Sequence, residues 1–117
     1  MTTSPLAQAY LRFLQLAKAI DGNTDLPTLD ANERALLEAL AMDWHNGTPM
    51  TVMQAMALKH LGSPATLHRR ISRLRRLGMI EPQEDEHDTR IKRLVLTATA
   101  RNYFEQMGQT LKLVTAR

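Results

Sequence analysis

Residues Ser63–Ile80 read SPATLHRRISRLRRLGMI. Five arginines fall in the eight positions from Arg69 to Arg76, threaded through the aliphatic row Leu67, Ile71 and Leu74. At ~100° per residue those three side chains lie within about 60° of one another, as on a helix packed against a core. Ala65, Arg69, Ser72 and Arg76 gather on the opposite side, flanked by Thr66 and Arg73. Ser63 offers a capping hydroxyl, and Pro64 lacks only an N–H that would go unpaired in a first turn. Gly78 supplies the stop. The spacing predicts a helix with one buried face and one cationic face.

Upstream, Thr51 can cap a short helix running to His60, with Val52, Ala55 and Met56 facing inward. The tight turn Leu61-Gly62 joins it to the arginine helix, which is helix-turn-helix spacing. Before that, Ala31–His45 predicts a helix with Leu36, Leu37, Leu40, Ala41 and Trp44 as its core face. Asp30 and Glu33 form a capping box at its start, and Asn46-Gly47 ends it. A first helix, Pro5–Ile20, is capped by Ser4 and carries the stripe Leu6, Tyr10, Phe13, Leu14 and Ala17. Leu11 and Leu16 lie off that stripe. Apolar surface on more than one face predicts a second buried contact.

Downstream, Met79–Glu84 and Arg90–Leu96 read as strands of a hairpin whose polar tip is Glu84–Thr89, with Ile91, Arg93 and Val95 alternating with Lys92, Leu94 and Leu96 at period two. A last helix begins after Thr97, with Ala100, Phe104, Met107, Leu111 and Val114 on one stripe. The fold class is mainly α with a small β-hairpin wing, a winged helix-turn-helix with flanking N- and C-terminal helices. We expect residues 1–29 and 98–117 to serve dimerisation, through Leu6, Tyr10, Leu11, Phe13, Leu14, Phe104, Met107 and Leu111, and residues 30–97 to form the DNA-binding core.

Composition narrows the classes of function. A chain of 117 residues is the usual size of one domain. With no cysteine, disulfides and thiolate metal sites are excluded. No signal peptide or membrane-length apolar run is evident, so a cytoplasmic protein is expected. The four histidines sit in different elements with no ligand spacing, and there is no phosphate-binding glycine loop or nucleophile elbow. No metal, cofactor or enzymatic activity is expected. Residues 1–58 hold three basic and six acidic side chains, whereas residues 59–117 hold twelve and six. The second half, net +6, asks for an anionic partner.

That partner is expected to be double-stranded DNA. The arginines have few acidic partners at i±3 or i±4, so they repel one another in the absence of a polyanion. A major groove admits a helix, and arginine can grip a guanine edge or a phosphate with two parallel bonds. Ala65, Thr66, His68 and Arg69 are the candidates for reading bases. Arg70, Arg73 and Arg76 are the candidates for phosphate, with Ser63 at the anion-favouring helix start and Ser72 on the same face. On the wing, Arg90 is the candidate for a narrow minor groove. Two recognition helices at half-site spacing require a two-fold homodimer.

Ser63–Leu67 leading to Leu74, Gly78 and Ile80, then Asp88-Thr89-Arg90, then Leu94-Val95-Leu96-Thr97, resembles the MarR family of winged-helix transcriptional regulators. The resemblance runs roughly from Glu33 to Gln106. It implies a bacterial homodimeric regulator whose terminal helices interlock, whose Arg90 enters the minor groove and whose Asp88 holds the wing. Ala100 stands where the family usually has glycine, and the wing approach Glu84-Asp85-Glu86 is unusually acidic. Met42, Met53 and Met56 could line a pocket for a small apolar effector, ordinary core packing being the commoner use of methionine. Two further readings stay open: a winged-helix protein-interaction module, and a replication or plasmid-maintenance DNA-binding protein.

Overall fold

The computed structural model describes residues 3–21 and 26–115. Five α-helices and one hairpin follow in the order α1 (Pro5–Asp21), α2 (Ala31–His45), α3 (Val52–Met56), α4 (Pro64–Arg76), β1 (Ile80–Glu84), β2 (Lys92–Leu96) and α5 (Ala98–Thr115). A single 3-10 turn, Lys59–Leu61, links α3 to α4.

The expected caps are in place. Ser4 Oγ accepts from the Ala7 N–H (3.2 Å). At α2, Asp30 Oδ1 accepts from the Glu33 N–H (2.7 Å) and Glu33 Oε1 accepts from the Asp30 N–H (2.9 Å), a closed capping box. Thr51 and Gln54 form the same reciprocal pair at α3. Ser63 Oγ accepts from the Thr66 N–H at the start of α4 (3.2 Å). At its end, the Met79 N–H reaches the Leu74 carbonyl and the Gly78 N–H the Arg75 carbonyl, both at 3.0 Å. This Schellman exit needs a left-handed residue, and Gly78 has φ +74°.

The chain divides into two compact units, one made of the described residues up to Thr28 together with those from Arg101, the other of Leu29–Ala100. In the Leu29–Ala100 unit, α2 packs on β2 and α4, and α3 on α4. Leu36, Leu37, Leu40, Ala55, Leu67, Ile71, Leu74, Met79, Ile80, Leu94 and Leu96 are buried there. The α4 stripe is thus fixed in the core as its spacing predicts. β1 and β2 pair antiparallel from Ile80 opposite Leu96 to Glu84 opposite Lys92. The segment before α3 covers the other side of β2: the Leu94 N–H donates to the Met50 carbonyl (2.8 Å), and Thr51 bridges to Arg93. In the other unit, Leu26, Tyr103 and Thr110 are buried, and Tyr103 Oη lies 3.4 Å from Asp21 Oδ1.

Two sequence expectations change. The helix expected from Val52 to His60 stops at Met56. Ala57, Leu58, Lys59 and Leu61 then make tighter backbone bonds, the Leu61 N–H for instance to the Leu58 carbonyl (2.9 Å). The returning strand starts at Lys92 rather than Arg90, because the Ile91 N–H closes a turn onto the Asp88 carbonyl (3.0 Å) and leaves Arg90 at the wing tip.

Candidate nucleic-acid interface

Of the residues singled out on α4, Ser63, Ala65, His68, Arg69, Arg73 and Arg76 are exposed, whereas Thr66, Arg70 and Ser72 are half-buried. Arg69 and Arg76 make no ion pair or side-chain hydrogen bond with any described residue, and the same holds for Arg75. Arg75, not among the candidates the sequence offers, is exposed on the His68 edge of the helix, off the centre of the polar face. These three guanidiniums form an uncompensated cationic surface on a rigid element.

The other two arginines are engaged within the protein. Arg73 Nε pairs with Glu33 Oε2, a carboxylate that is only 3% exposed and already caps α2 through its other oxygen. The acid partner that helix spacing could not supply comes from forty residues upstream. Arg70 Nη1 donates to the Leu61 carbonyl (2.7 Å) at the mouth of the helix-turn-helix turn. The Thr66 hydroxyl is likewise directed to the turn, accepting from Ser63 Oγ (3.0 Å).

The wing is built on two carboxylates. Asp85 accepts from the His87 N–H (3.0 Å), the Asp88 N–H (3.1 Å) and Arg93 Nε (2.7 Å). Arg93 also donates from Nη1 to the Pro49 carbonyl (2.9 Å), tying the tip to the segment before α3. Asp88 holds Arg90 by a two-pronged bond, Nε to Oδ1 and Nη2 to Oδ2, each 3.0 Å, and also accepts from the Arg90 N–H. Hydrogen bonds from Arg93 and the His87 N–H hold the Asp85 carboxyl below the ordinary carboxylate range. Those from the Arg90 side chain and N–H do the same for Asp88. Lys92 Nζ meets Glu84 Oε1 at 2.8 Å. Each base of this hairpin therefore has an acid, yet the Arg90 side chain remains 89% exposed.

A groove of about 360 Å³ runs between the start of α3 and the wing, lined by Thr51, Val52, Met53, Arg90, Ile91 and Lys92. Met42 and Met53 are exposed, against the expectation of core packing, while Met56 is half-buried. Among the described residues no group of three or more His, Asp or Glu side chains could hold a metal ion, and no helix is long and apolar enough to cross a membrane.

The residues expected to serve dimerisation lie outside the Leu29–Ala100 unit, on α1 and α5. No residue of α1 is buried. Leu6 is 86% exposed, and Tyr10, Leu11, Leu14 and Leu111 are also exposed, while Phe13, Phe104 and Met107 are half-buried. Leu113, which the sequence reading omitted, adds to the same exposed apolar set.

No protein-family model matches the sequence, and no curated protein matches it. Solved structures do. FabT from Streptococcus pneumoniae, determined in complex with DNA, aligns over 89% of this chain and 68% of its own with 17% identity and a TM-score of 0.61. The heme sensor PefR from Streptococcus agalactiae, in complex with heme, aligns over 97% and 77% with 23% identity and a TM-score of 0.58. MarR aligns over 94% and 72% with 14% identity and a TM-score of 0.55. The chain has the winged-helix fold of the MarR-type transcriptional regulators.

Proposed function

We propose that this protein is a homodimeric transcriptional regulator that binds double-stranded DNA, with α4 in the major groove and the wing on the flanking minor groove. The observation that carries the reading is the α4 surface: Arg69, Arg75 and Arg76 project from a helix fixed by Leu67, Ile71 and Leu74, with no acid among the described residues to neutralise them. A polyanion satisfies that charge and releases its condensed counterions; a groove-sized helix with alanine and serine near its amino end can approach one closely. Arg90 at the wing tip supplies a second, separate cation.

Within this reading Ala65, His68 and Arg69 face base edges, and Ser63, Arg75 and Arg76 face phosphates. Thr66 and Ser72 sit at the margin, and Arg70 and Arg73 leave the contact set. The test is selection from a random duplex pool, followed by titration of the consensus at several salt concentrations. A palindromic consensus with a steep salt dependence is expected. Arg69→Ala should lose about 1–3 kcal/mol of discrimination at one base pair. Arg76→Ala should weaken all sequences alike and flatten the salt slope by about 0.9 for each phosphate lost, hence ~1.8 in a dimer. A shallow salt slope with no consensus would instead favour a protein-interaction module.

A further inference from the structure

The five arginines of α4 differ in what they touch, and Arg70 is the one turned back on the motif itself. It is half-buried, on the edge of the helix next to Leu67 and Leu74. Its Nη1 donates to the Leu61 carbonyl at 2.7 Å. That carbonyl belongs to the last residue of the 3-10 turn leading into Gly62, whose φ of +148° is one that side-chain-bearing residues rarely adopt. A β-carbon on Gly62 would lie 3.3 Å from Arg70 Nη1 and 3.2 Å from Thr66 Cγ2. The glycine thus leaves room for Arg70 and Thr66 to close over the turn from the α4 side.

We infer that Arg70 is a positioning residue for base recognition: its guanidinium straps the recognition helix to the turn before it and so sets the angle at which Ala65, His68 and Arg69 are presented. The inference rests on the DNA-binding reading above. A planar guanidinium clamped on a backbone carbonyl fixes direction as well as distance, and it adds a restraint at the glycine-containing turn to the core packing of Leu67, Ile71 and Leu74. Misaiming a recognition helix spoils base contacts, which need alignment, more than contacts with the uniform phosphate charge.

The test uses the full chain and the duplex found by selection, with Arg70→Ala, Gly62→Ala and Arg76→Ala compared with the parent. Each variant is first checked by circular dichroism and thermal melting, and binding is referred to the folded fraction. Arg70→Ala should lower the ratio of consensus to random-duplex affinity about tenfold, while the slope of log affinity against log salt stays within a few tenths of the parent. Gly62→Ala, which alters no charge, should reproduce the loss of preference; if it does not fold, Arg70→Ala alone decides. A slope reduced by about 1.8 in Arg70→Ala, as for Arg76→Ala, makes Arg70 a phosphate ligand and overturns the inference. So does an unchanged affinity ratio. If Arg69→Ala and Arg76→Ala bind every duplex like the parent, it is the DNA-binding reading that fails, whatever Arg70 does.

Discussion

Arg90 shows how a charge can be held and still be available. Its bidentate bond to Asp88 fixes the direction of the side chain, but the pair stands in water, where such contacts contribute little net energy. A more negative surface can therefore take the guanidinium over at small cost. Arg90→Ala should weaken consensus binding about tenfold and Asp88→Asn by less than about fivefold, because only the former removes the cation; fluorescence anisotropy distinguishes the two. The pH dependence has a definite sign. The Asp88 carboxyl is held below its ordinary 3.8, so its grip on Arg90 is complete above that value and is lost as the pH falls through the lower folded value. The Arg90 Nε–H resonance should consequently stay constant from about pH 5 to 8 and move only in strong acid; a titration near neutrality would contradict the assignment. At this scale the sequence offered Asp88 as holding the wing only through its resemblance, without Arg90 as the side chain it holds. It was silent where the acceptor is a backbone carbonyl, as for Arg70, since a carbonyl leaves no trace in residue identity.

Elements were legible where their ends are made by side chains. Ser4, Asp30 with Glu33, Thr51 and Ser63 are each followed by an N–H that the cap satisfies, so the starts of four helices follow from local chemistry alone. The end of α3 does not, because Ala57-Leu58-Lys59 would serve a longer helix equally well and the stop comes from the tighter turn packed at the entrance to α4. Gly78 offers a clean measurement: an added β-carbon meets nothing within 4 Å, so Gly78→Ala should cost about 1–2 kcal/mol from backbone conformation alone, seen as a lowered Tm. Glu33 joins two elements. One oxygen completes the α2 cap and the other holds Arg73 on α4. Glu33→Ala should cost about 2 kcal/mol in chemical denaturation, and Glu33→Gln less, because an amide oxygen can still accept from the Asp30 N–H. Equal losses in the two variants would place the whole effect in the charge and none in the cap.

Across the whole molecule, charge and apolar surface are segregated in a way the sequence halves already announced. The excess of basic residues lies in the second half, and three arginines without an acid among the described residues, Arg69, Arg75 and Arg76, share α4. The exposed large apolar residues concentrate instead on α1 and α5, with Tyr10 and Phe13 stacked at 6.4 Å between ring centres. In the proposed homodimer a second copy would cover apolar side chains such as Leu6, Leu11 and Leu14, a gain of about 25 cal/mol for each Å² removed from water. Leu11→Glu combined with Leu14→Glu should therefore yield a monomer by sedimentation equilibrium. The Leu29–Ala100 unit should remain folded, since α2, α3, α4 and the hairpin pack on one another within it. The consequence for binding follows from geometry. Two linked half-site contacts make the second an intramolecular event, which raises avidity ~100-fold or more over a single one. The monomeric variant should keep its preference for one half-site while losing most of its affinity for the palindrome, and its salt slope should fall by about half. A variant that stays dimeric, or a monomer that binds the palindrome as tightly as the parent, would exclude α1 as the surface on which the two recognition helices are brought to half-site spacing.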